Sequence, residues 1–351
     1  MRLSRRINKS ALMKYGLGIG LGLFSIDHYP VNLIGMLVLF IFTTLYIKDS
    51  DYKSWDWGSK WVYIPLLTIL GVSILRLAIY HSVNEVATVS FFLIAIALYL
   101  ISRKMGREIV KVLIPFLIIE IACIVVMALI NRGEIASGFI GQYNRAVGFM
   151  VYIALLNQGK WQWVLVGISL FAVILTGALE GLIIIVALGV VILLRKDWGK
   201  RLWIPLALIC VFLLPALFMG DIKNLYSPGV EHLYMDNVEV NTFLNGRVIV
   251  YKEAIENISI LGHGYVNSLF NASTVHNVPL IVFDQLGILA GIAWIVITGY
   301  CLIKTRWKYV WIAVIVMGLF DHFIWTGLAP LYFVAVGLTT SESTNDYIFK
   351  E

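Results

Sequence analysis

The chain has 351 residues, of which 60% are hydrophobic and only 14% charged, a balance far from that of soluble globular domains. That composition excludes a soluble enzyme or binding module and points to a protein that crosses a membrane many times. The formal net charge of +6 is no nucleic-acid signature, because the basic residues are distributed as membrane topology requires.

Crossing the hydrocarbon takes roughly 20 mostly apolar residues per helix. Apolar runs of suitable kind follow one another at approximately 11–26, 30–47, 61–80, 86–101, 109–130, 143–157, 161–176, 179–194, 202–219, 278–303, 308–321 and 326–340. The expected fold is therefore all-α and polytopic, with about twelve transmembrane helices. Arg2, Arg5, Arg6, Lys9 and Lys14 precede the first run, and no small-residue cleavage site follows, so the start reads as an uncleaved helix.

Short cytoplasmic loops hold the excess of Lys and Arg. With the N-terminus inside, only Arg76, Arg132, Arg145, Lys223, Arg247 and Lys252 of the 27 basic residues fall at or beyond the outer face. A frame shifted by one span would invert this bias. Both termini are then cytoplasmic, with a polar tail at 341–351. Cys123, Cys210 and Cys301 all lie in apolar runs, which gives neither a disulfide framework nor a metal-ligand spacing.

The organisation reads as transmembrane helices over 1–219, one long extracytoplasmic loop at 220–277, and further transmembrane helices over 278–340. The first half of that loop mixes Asn, Pro, Gly and acids without periodicity and reads as irregular. In "NGRVIVYKEAIENISILGHG" Val248, Tyr251, Ile255 and Ile258 recur at helical spacing, which predicts an amphipathic helix from Asn245-Gly246 to Gly262. His28, His81, His232, His263, His276 and His322 all map to outer loops or outer helix ends.

Charges within apolar spans are costly and mark functional candidates. Arg76, Glu120, Glu180 and Asp284 are of this kind, with a hydrogen-bonded structural acid as the plainer reading of Glu120 and outward snorkelling that of Arg76. Arg247 and Arg145 lie at the outer face, where guanidinium groups suit the oxygens of a lipid diphosphate. His276 is a candidate general base because its titration range lies near neutrality. Asp284 follows it by eight positions, about 12 Å along a helix axis, too far for direct contact.

The order of Gly246-Arg247, an amphipathic segment, Gly262-His263-Gly264-Tyr265, His276-Asn277, Leu280, Gly287 and Gly291 resembles the O-antigen ligase and O-antigen polymerase superfamily of integral-membrane glycosyltransferases. The local pattern covers 246–291, and the topology extends it over nearly the whole chain. Three departures stand out: Gln285 occupies a position usually acidic, Pro279 one commonly aromatic, and "TGALEG" at 176–181 lacks an arginine that the ligases tend to carry. Arg145 is the candidate substitute.

The resemblance implies a GT-C-like architecture in the bacterial inner membrane and an extracytoplasmic active site. It implies inverting transfer of a glycan from undecaprenyl diphosphate to an acceptor sugar hydroxyl, with no metal and no cofactor. His276 would take the hydroxyl proton and Arg247, with Arg145, would offset the charge on the leaving diphosphate. Asn277, His263 and Tyr265 would contact substrate. Partners would be the lipid-linked donor, a lipid-linked glycan or lipid A core as acceptor, membrane lipids and a chain-length regulator. The compact size and the missing arginine favour a polymerase of repeat units, with an O-antigen ligase as the alternative. A lipid-linked oligosaccharide flippase is the alternative of another class, and it would call for internal repeats.

Overall fold

The computed structural model describes residues 9–49, 55–130, 138–157, 162–176, 183–184, 234–235, 238–239, 255–264, 277–304, 308–320 and 325–341. Its regular elements, in chain order, are α1 (Lys9–Ser25), α2 (Tyr29–Asp49), α3 (Lys60–Tyr80), α4 (Val83–Met105), α5 (Glu108–Lys111), α6 (Ile114–Ile130), α7 (Tyr143–Leu156) and α8 (Gln162–Leu175). The two strands β1 (Tyr234–Met235) and β2 (Val238–Glu239) follow, then α9 (Val278–Lys304), α10 (Lys308–Phe320) and α11 (Ala329–Thr340).

Helices α2, α3, α4 and α9, together with the run 108–130, are long and apolar enough to cross a membrane. The apolar helices α1, α7, α8, α10 and α11 are shorter. The protein is a helical, membrane-embedded chain. The expected spans at 179–194 and 202–219 lie outside the described residues, except for Ile183 and Ile184, which are helical and buried.

Local chemistry sets the helix ends. Ser59 caps α3 by accepting the Trp61 N–H at 3.3 Å, Ser82 caps α4 by accepting from Glu85 at 3.2 Å, and Gln142 caps α7 by accepting from Arg145 at 2.7 Å. Glu120, enclosed within α6, accepts N–H bonds from Phe139 (2.9 Å) and Ile140 (3.3 Å), so this buried acid shapes the approach to α7.

In the bundle α1 packs on α2, α3 on α4 and α9, α4 on α11, and α7 on α6, α8 and α10. Residues 144–156 of α7 and 329–338 of α11 are buried throughout, which places the core around these two helices and α4. By contrast α2 turns Leu33, Ile34, Leu37, Phe40 and Ile41 outward, a surface suited to hydrocarbon.

Contacts among helix ends define two faces. On one, Arg103 of α4 binds the Asp56 carboxylate and the Thr340 carbonyl, Ser341 donates to the Arg103 carbonyl at 3.1 Å, and Tyr99 donates to the Trp57 carbonyl at 2.7 Å. Lys9, Lys14, Lys48, Lys60, Lys104, Arg107, Lys111, Lys304 and Lys308 lie toward this same face. On the other, Phe24 stacks on Phe91, Phe92 meets Trp325, and Trp325 donates to Gln285. The only cations there among the described residues are Arg76 and Arg145.

The long loop departs from expectation at two places. Tyr234–Met235 and Val238–Glu239 pair as an antiparallel ribbon within the half that reads as irregular. The amphipathic helix does not run to Gly262: Ile255 and Glu256 are helical, but 258–263 are not. Backbone partners on α9 hold this stretch in a non-helical course instead.

Candidate functional site

Helix α9 is two helices. At Gly287 the backbone turns to φ 83° and ψ −177°, a conformation outside the helical region that glycine alone adopts without strain. The expected continuous span at 278–303 is thus corrected to a broken one. A break frees backbone donors and acceptors, which must find partners wherever water is excluded.

The partner is the stretch 258–264. Ile288 donates its N–H to the Ser259 carbonyl at 3.1 Å, and His263 donates its own to the Asp284 carbonyl at 2.7 Å. Both bonds join 259–263 to 284–288, so the loop passes alongside the break. Gly262 faces Gly287 across this contact: a Cβ on Gly262, at φ +69°, would lie 2.5 Å from the Gly287 nitrogen, and one on Gly287 would strike the Ile260 carbonyl.

Arg76 fastens this stretch from the α3 side. It is 1% exposed, donates to both Glu85 oxygens at 2.7 and 3.2 Å, and donates to the carbonyls of Leu261 and Gly262 at 2.5 Å each. Its guanidinium also lies 4.9 Å from the Tyr80 ring centre. Arg76 therefore points inward, and outward snorkelling is ruled out because a buried carboxylate and two carbonyls hold it. Gly264 packs directly against this ion pair, leaving no room for a side chain.

Asp284 is buried, and its carboxylate Oδ1 lies 2.9 Å from His263 Nδ1. The imidazole of His263 is 29% exposed against 3% for the acid. Asn277 stands at the head of α9: its Oδ1 accepts the Leu280 N–H at 3.1 Å and its amide donates to the Leu319 carbonyl at 3.4 Å. With Pro279 in the first turn, this is helix-start chemistry. Gln285, also buried, accepts from Trp325 at 3.3 Å.

Arg145 occupies another part of the same face. Its Nη1 donates to Asp27 at 2.7 Å and its Nη2 to the Phe24 carbonyl at 3.1 Å, while Nε is buried without a partner among the described residues. Arg145 thus ties α7 to the α1–α2 turn. Arg247, Tyr265 and His276 lie outside the described residues. Of the residues expected at the site, the structure brings His263 and Asn277 to the two ends of the same broken-helix segment.

Sequence reasoning overlooked Glu85 and Asp27. Glu85 follows Ser82 by three positions, the spacing of a capping box; its N–H goes to Ser82 while its carboxylate goes to Arg76. Asp27 had a weaker signal, an acid in the turn between α1 and α2. No group of His, Cys, Asp and Glu able to hold a metal ion occurs among the described residues. No protein-family model matches the chain, and no curated protein matches it in sequence.

Proposed function

We propose that this chain is an integral-membrane glycosyltransferase that polymerises lipid-linked oligosaccharide repeat units, such as those of an O-antigen, a capsule or an exopolysaccharide. In this reading it has about twelve spans in a GT-C-like arrangement, with both termini cytoplasmic and the site at the outer face of a bacterial inner membrane. A glycan is transferred from undecaprenyl diphosphate to an acceptor sugar hydroxyl with inversion, without metal or nucleotide sugar.

One observation carries the reading. The ordered pattern Gly246-Arg247, Gly262-His263-Gly264, His276-Asn277 and Gly287 resembles a glycosyltransferase superfamily, and among the described members Gly262 packs against Gly287. The chemistry is coherent. Diphosphate is a weak base and leaves without a strong acid, so the demands are a cation for its developing charge and a base for the acceptor hydroxyl. Arg247 would supply the first and His276, by the resemblance, the second.

The broken helix α9 favours a second reading, a flippase for lipid-linked oligosaccharides, since transporters use discontinuous helices to build their sites. Purified protein separates the two readings. Given the lipid-linked repeat unit extracted from a strain lacking the protein, with chelator and no nucleotide sugar, it should lengthen the glycan. His276→Ala and Arg247→Ala should each abolish elongation while inserting normally. Movement of the lipid across vesicles without elongation would establish the flippase instead.

A further inference from the structure

We propose that His263, held by Asp284, is the imidazole that takes the proton from the acceptor hydroxyl, with Asp284 as its positioning residue. This rests on the glycosyl-transfer reading and changes which imidazole acts as the base within it.

Two bonds join the same two residues. The His263 N–H donates to the Asp284 carbonyl at 2.7 Å, and its ring Nδ1 lies 2.9 Å from the Asp284 carboxylate. A carboxylate only accepts, so Nδ1 is the donor, and in the neutral ring the lone pair then lies on Nε2. Among the described residues nothing hydrogen-bonds Nε2, and the ring is 29% exposed while the acid behind it is 3% exposed. A buried acid that fixes tautomer and orientation behind a partly open imidazole is the arrangement a general base requires.

The surroundings are built to hold that arrangement. Arg76 binds the carbonyls of Leu261 and Gly262, the two residues before His263, and Gly264 packs on the Arg76–Glu85 pair just after it. Asp284 sits three positions before the break at Gly287, so its carbonyl has lost its helical continuation and is available to the His263 N–H. His263 is thereby fixed in main chain and side chain alike.

In the step, the acceptor oxygen forms a bond to the anomeric carbon as its proton passes to His263 Nε2. The bond from that carbon to the diphosphate oxygen breaks, and its electron pair leaves with undecaprenyl diphosphate. The imidazolium then returns its proton to water at the outer face.

The test uses full-length protein in detergent and the lipid-linked repeat unit extracted from a strain lacking it. His263→Gln should lower kcat for elongation by about 100-fold or more. Asp284→Asn, the same size, donates to Nδ1 and moves the proton to Nε2; it should lower kcat by a similar factor with KM unchanged. Hydrogen exchange of 258–264 like that of wild type shows that each variant keeps its fold. His263→Gln or Asp284→Asn with wild-type kcat overturns the proposal, as does a loss confined to KM. Wild-type protein that elongates nothing refutes the glycosyl-transfer reading itself, a result distinct from either.

Discussion

Replacing Gly287 with alanine tests whether the break in α9 and the loop beside it are one structure. At φ 83° and ψ −177° an alanine backbone is strained by about 1–3 kcal/mol. The new methyl would also meet the Ile260 carbonyl, so 259–263 must withdraw. Withdrawal gives up the bonds from Ile288 to Ser259 and from His263 to Asp284, about 1 kcal/mol each. The total, about 3–5 kcal/mol, is a large share of the stability of an ordinary domain. Hydrogen exchange followed by mass spectrometry in detergent micelles reads it directly: peptides over 258–264 should exchange roughly 10²- to 10⁴-fold faster in Gly287→Ala. Unchanged exchange there, with an unchanged melting temperature, would refute the pairing.

Arg76→Ala should destabilise by about 3–5 kcal/mol because it strands Glu85 as a buried charge. The double variant Arg76→Ala/Glu85→Ala should cost less than the two singles combined, as measured by denaturant unfolding in micelles; strict additivity would contradict a coupled pair. Asp56, in the loop before α3, has its carboxyl held below the usual range, chiefly by the Gly58 N–H and then by Arg103. A folded-state pKa below the unfolded one gives stability that is present above the unfolded value and lost as pH falls through the folded value. Melting temperature should therefore drop on acidification through the carboxylate range, and Asp56→Asn should lessen that drop.

Among the described residues helix positions were legible because a run of about 20 apolar residues specifies a membrane helix without reference to any partner. The helix start at Asn277 was legible in kind, since Asn followed by Pro in the first turn is a local signal. The break at Gly287 was not. Glycine in an apolar run fits a continuous helix equally well, and what opens it is a stretch more than twenty residues earlier in the chain. Ile255 and Ile258 fit a helical period, yet so few positions cannot distinguish a helix from a non-helical course, and the backbone of α9 decides. Arg76 and Glu85 flank one tight turn, so their pairing was within reach. Arg145 and Asp27 lie 118 positions apart, with no local pattern to join them.

The central claim is that the chain polymerises lipid-linked repeat units, and the glycan profile of a strain lacking it tests that most directly. The account predicts loss of every surface glycan longer than one repeat unit, restored by the wild-type chain and not by His263→Gln. An unaltered ladder of chain lengths in the deletion strain would contradict it.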